Sequence, residues 1–90
     1  MNTIESDLKI QSQLGLHARP AALFVQTTNK YKAKIRVIKD DIEIDGKSIM
    51  GLLMLAAPMG SILKVIAEGE DAAQAVENLH QIFNSKFGES

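Results

Sequence analysis

The chain has 90 residues, with ten Lys and Arg against eleven Asp and Glu, a formal net charge of −1 and no cysteine. That length fits one domain over 1–90, folding with little margin because a chain this small buries only about 60–65% of its unfolded surface. Balanced charge excludes the broad basic face of a nucleic-acid binder. The missing cysteines exclude a disulfide framework and a thiolate metal site, and no apolar run approaches the ~20 residues of a membrane span.

The opening MNTIESDLKI lacks the basic start and apolar core of a signal peptide, so a cytoplasmic location is expected. Ile4, Leu8 and Ile10 share one parity, with Glu5, Asp7 and Lys9 on the other, the pattern of a half-buried strand. Gly15 breaks it. From Ala18 the apolar spacing turns helical through Ala21, Ala22 and Val25. Pro20 suits the first helical turn, where its missing N–H costs no helical bond. This helix is expected from about Ala18 to about Lys30.

Two short strands follow, Ile35 and Val37 facing in, then Ile42 and Ile44 facing in with Glu43 out. Asp40-Asp41 reads as their hairpin turn. Asp45-Gly46 marks the next turn. Ser48 can cap a short helix from Ile49 to about Leu55, ended by Pro58 and Gly60. The segment Ile62 to Glu68 is apolar on both parities, as a central strand is. Asp71 and Gln74 resemble a capping box opening a last helix with the buried stripe Ala72, Ala75, Val76, Leu79, Ile82 and Phe83. The order β-α-β-β-α-β-α, with a largely antiparallel sheet and helices on one face, makes a two-layer α/β sandwich.

Chemistry concentrates at Gly15-Leu16-His17-Ala18-Arg19-Pro20. Free backbone N–H groups and the positive end of the helix dipole favour an anion there. Arg19 adds a planar guanidinium that matches phosphate oxygens. His17 supplies a nucleophile, since imidazole is largely neutral near pH 7. The plainer reading of His17 is a cap or a solvated side chain. No second His, Asp or Glu stands near it at metal-ligand or triad spacing, so neither metal nor cofactor is expected. The other histidine, His80, lies at the edge of the last helix's buried stripe and reads as structural. No cluster of polar residues marks a metabolite pocket.

A second candidate is Lys47-Ser48-Ile49-Met50-Gly51. Capping alone explains Ser48, yet a phosphate on it would be tolerated at a helix N-terminus. The short helix carries Ile49, Met50, Leu52, Leu53, Met54 and Leu55, apolar nearly all round. Core packing accounts for about half of these; the rest serve as core filler or as an exposed docking surface, where methionine gives adaptable contacts.

Together, Gly15-Leu16-His17-Ala18-Arg19-Pro20-Ala21 and Lys47-Ser48-Ile49-Met50-Gly51-Leu52 resemble the HPr family, the histidine-containing phosphocarriers of the bacterial phosphotransferase system. The resemblance covers essentially the whole chain. It implies an open-faced sandwich with a four-stranded antiparallel sheet in order 1-4-2-3 and three helices on one face. It implies that His17 is phosphorylated on Nδ1 by Enzyme I, which draws on phosphoenolpyruvate, and that the group passes to an Enzyme IIA protein or domain in sugar uptake. Arg19 is then the phosphate-steadying arginine and Pro20 the helix-start proline. Ser48 matches the serine modified by a dedicated ATP-dependent HPr kinase/phosphorylase. Leu16, Met50, Gly51, Leu52 and Met54 fall in the partner-docking region. The implied protein is a monomeric carrier dependent on partner enzymes, with no turnover of its own.

Two departures qualify the pathway. Leu14 before Gly15, and the ending Ile82-Phe83-Asn84-Ser85-Lys86-Phe87, look like the nitrogen-related NPr branch, whereas Lys47 to Gly51 resembles the kinase-regulated branch. The alternative function is a nitrogen-type or serine-phosphorylated signalling protein acting through phosphorylation-dependent partner binding. The related regulator Crh lacks the histidine, so His17 argues against that role.

Overall fold

A computed structural model describes residues 2–85 of the chain. Strand β1 spans Thr3–Lys9, helix α1 Ala18–Thr28, β2 Lys34–Lys39, β3 Ile42–Asp45, α2 Ile49–Met54, β4 Ile62–Glu68 and α3 Ala72–Ser85. All pairings are antiparallel, and the sheet order is β1-β4-β2-β3. Both the element order and the sheet order match expectation. β4 has partners on both sides, which is why its apolar residues occupy both parities. Lys86 and Phe87, part of the ending compared with the nitrogen-related branch, lie outside the described residues.

One face of the sheet supplies Leu8, Ile35, Val37, Leu63, Val65 and Ala67 to a single core shared with the helices. Phe24 of α1 and Phe83 of α3 meet edge to face, their ring centroids 5.8 Å apart, in the offset geometry the aromatic quadrupole favours. α1 packs against α2 and α3, and α3 lies over β1 and β4. His80 is half-buried on α3, its Nε2 2.6 Å from Ser6 Oγ on β1, which supports a structural role.

The β2–β3 hairpin closes through Asp40 and Asp41, both with positive φ (50° and 68°). A two-residue turn with both centres left-handed fits the right-handed twist of its strands. Across the hairpin, Arg36 and Glu43 pair at 3.3 Å on the surface. Ile42 departs from expectation: it is exposed, because it stands at the hairpin tip of a four-residue edge strand. Its neighbour Ile44 meets α2 at Gly51, where an added Cβ would come within 3.2 Å of Ile44 Cβ.

The expected capping box at α3 takes another form. Asp71 stands before α3 and its carbonyl accepts from Ala75 N–H at 3.0 Å, but its carboxylate reaches across the fold. Oδ2 accepts from Lys32 N–H at 2.8 Å and Oδ1 from Ala33 N–H at 2.9 Å. That tie fixes the α1–β2 connection against the start of α3. The same connection is held by Lys47 Nζ, which donates to Tyr31 O, and by Asn78 Nδ2, which donates to Tyr31 Oη.

Candidate functional site

The segment between β1 and α1 is positioned by backbone bonds to the segment between α2 and β4. Ile10 N–H donates to Ser61 O at 2.8 Å, and Gly60 N–H returns a bond to Ile10 O at 2.7 Å. A turn follows, with Gly15 N–H donating to Ser12 O and Leu16 N–H to Ala57 O at 2.8 Å. Gly15 has φ +75°, and a Cβ there would fall 2.5 Å from Ala57 O and 3.0 Å from Pro58 Cα. Only glycine fits this crossing, and the crossing places His17 two residues later.

His17 is the N-cap residue of α1, with extended φ and ψ of −91° and −171°. Its carbonyl accepts from Ala21 N–H at 3.0 Å, while its side chain makes no capping bond. The ring is therefore not spent on the helix end, which removes the cap reading of this residue. Its Nε2 is buried without a hydrogen-bond partner, alone in that respect among side-chain atoms of the described residues. The N–H groups of Ala18 and Arg19, the first two of α1, have no intrahelical acceptor. Pro20 is buried in that first turn, where it needs no donor. Arg19 is exposed and pairs with no carboxylate among the described residues. A half-buried imidazole, unpaired helix-end N–H groups and an exposed guanidinium thus belong to one short stretch of chain.

Two surface hollows are lined by other residues, one by Lys32, Ala33, Gly69 and Asp71, another by Lys34, Arg36, Glu43 and Lys47. His17 lines neither.

Ser48 is the N-cap of α2, its Oγ accepting from Gly51 N–H at 3.1 Å. The helix it opens divides sharply. Met50 and Met54 are 72% and 75% exposed, whereas Leu52 is fully buried. Leu16, at 4% exposure, is also core. Of the residues expected in the partner-docking region, Leu16 and Leu52 are buried in the core, and Gly51 serves the close approach to Ile44. Sequence reading missed Leu14 and Met59, 76% and 57% exposed on the two segments that meet at Gly15. Their flanking turn residues were the available signal, since Leu14 precedes Gly15 and Met59 lies between Pro58 and Gly60.

Comparison with known proteins agrees with this geometry. The family model described as the PTS HPr component phosphorylation site matches residues 4–85. The phosphocarrier protein HPr of Neisseria meningitidis serogroup A is 41% identical over 86 residues, covering 96% of this chain and 97% of the relative. The HPr-like protein Crh of Halalkalibacterium halodurans is 43% identical over 76 residues, covering 84% of this chain and 90% of the relative. The crystal structure of HPr-C-His from Thermoanaerobacter tengcongensis superposes with a TM-score of 0.90 at 45% identity, covering 97% of this chain and 98% of that one. On the sheet order, the helix-start histidine and these whole-length matches, the chain belongs to the HPr family of phosphocarrier proteins of the phosphotransferase system.

Proposed function

We propose that this chain relays phosphoryl groups through Nδ1 of His17, accepting from phosphorylated Enzyme I and donating to an Enzyme IIA protein or domain in sugar uptake. The observation that carries this reading is the His17 ring itself, half-buried at a helix N-terminus, making no capping bond and with Nε2 enclosed without a partner. The Nδ1 lone pair attacks phosphorus in line as the bond to the donor breaks. The Ala18 and Arg19 N–H groups and the Arg19 guanidinium then face the transferred oxygens, where fixed donors stabilise negative charge. Partners supply the remaining catalytic groups, and the chain is a carrier without turnover of its own. It acts as a cytoplasmic monomer whose docking side chains are Met50 and Met54. These contacts are transient, as each partner must leave quickly.

The test is incubation with Enzyme I and labelled phosphoenolpyruvate. Acid-labile label on the wild type and none on His17→Ala is the expected result. Label persisting in His17→Ala refutes the assignment. Arg19→Ala is expected to slow transfer with the fold intact, and unchanged rates with both donor and acceptor would remove Arg19 from the site.

A second reading concerns Ser48. Its place at the N-cap of α2, beside exposed Met50, lets a phosphate add charge to the docking face without unfolding the helix. ATP-dependent labelling by an HPr kinase/phosphorylase, lost in Ser48→Ala, is the outcome that supports it.

A further inference from the structure

The chain has four methionines and no cysteine, so all its sulfur is thioether. Methionine is ordinarily an interior residue. Here Met50, Met54 and Met59 are 72%, 75% and 57% exposed, and the fourth, Met1, lies outside the described residues. Met50 and Met54 are one turn apart and so share a face of α2. α2 packs on α1, the helix that His17 opens. Met59 follows the Ala57-Pro58 backbone that touches Gly15. Three of the four methionines are thus exposed, two of them on the helix that packs against the one His17 opens, and no thiol competes with them for oxidant.

We propose that Met50 and Met54 form a reversible oxidation site through which hydroperoxides lower phosphoryl relay at His17. The peroxide's distal oxygen bonds to sulfur as the O–O bond breaks. Each thioether loses two electrons to become a sulfoxide, and the peroxide, gaining two, leaves as water or an alcohol. A thiol-dependent methionine sulfoxide reductase reverses the step, one enzyme per sulfoxide epimer. The sulfoxide turns a flexible apolar side chain into a polar one. On a docking face, that oxygen must be desolvated against a partner's apolar surface. The fold is spared, because both side chains stand in water while Leu52, between them, carries the packing. The inference rests on the reading of α2 as a docking helix.

The experiment treats the folded protein with hydrogen peroxide, locates added oxygen by peptide mass spectrometry, and measures phosphorylation by Enzyme I as a function of carrier concentration. Oxygen on Met50 and Met54 is expected to raise KM about tenfold, the loss of part of one buried thioether contact at each position. Maximal rate should change little, far-UV circular dichroism should be unaltered, and reductase treatment should restore KM. In the Met50→Leu/Met54→Leu variant, whatever its basal KM, the values before and after peroxide should agree. Complete oxidation at both sulfurs with KM unchanged overturns the inference. So does a double variant as peroxide-sensitive as the parent, or sulfur that reacts only once the fold is lost. Met54→Lys, measured without peroxide, separates the two readings. If it raises KM while the sulfoxides do not, the oxidation inference fails alone. If it also leaves KM unchanged, the docking reading fails with it.

Discussion

Gly15→Ala tests the crossing that places His17. The new Cβ would stand 2.5 Å from Ala57 O, about 0.8 Å inside an ordinary C···O approach of ~3.3 Å. The obstacle is backbone on both sides, so no rotamer change relieves it. A left-handed φ adds about 1–2 kcal/mol for any residue with a Cβ. Displacing Ala57 O also weakens its bond from Leu16 N–H, worth about 0.5–1.5 kcal/mol. The sum is roughly 1.5–3.5 kcal/mol, a large part of the 5–15 kcal/mol typical of a domain. Gly60→Ala is the internal control: its φ is +91°, yet nothing lies within 4 Å of where its Cβ would stand, so it carries the φ cost alone. Urea and thermal denaturation should show Gly15→Ala less stable than Gly60→Ala by about 0.5–1.5 kcal/mol, or roughly 2–12 °C in Tm for a chain of this size. Labelling of His17 should fall in Gly15→Ala far more than in Gly60→Ala, since small misplacements of a reacting group are costly. Equal stability and equal labelling of the two variants would refute the argument that the Gly15 crossing positions the site.

Three further outcomes follow from particular contacts. The Lys32 N–H foremost, with that of Ala33, holds the Asp71 carboxyl below its ordinary value against a smaller desolvation effect. A carboxylate with a depressed folded pKa stabilises the fold above its unfolded pKa of about 3.9. That contribution is lost as pH falls through the folded value. Asp71→Asn should therefore be less stable than wild type near neutral pH, with the gap closing below about pH 4 in denaturation series; a gap that does not depend on pH would count against the tie. Ser48→Ala removes the bond to Gly51 N–H and should cost about 1 kcal/mol by thermal denaturation, with His17 labelling retained. Ala56 holds φ +48° just past α2, a position where glycine relieves strain, so Ala56→Gly should raise stability by about 0.5–1 kcal/mol; a lowered Tm would show that this conformation carries no strain.

Much of this protein is legible in its sequence because the relevant forces act over neighbouring residues. Alternation marked β1, a change to helical spacing marked α1, and apolar residues on both parities marked β4 as central before any pairing was known. The candidate site was legible for the same reason: His17, Arg19 and the first turn of α1 are contiguous, and a helix end presents its dipole and free N–H groups whatever surrounds it. Tertiary structure decided what depends on residues far apart in the chain. Leu52 and Met50 look alike as apolar residues of one short helix, but only docking onto β3 and α1 sends one to the core and leaves the other in water. Asp71 carries a capping signature, yet its carboxylate bridges to backbone 38 residues away. Ile42 alternates as an inward residue and is exposed because β3 is an edge strand. The enclosure of His17 Nε2 is likewise invisible locally, since it requires the packed neighbours that the fold brings to it.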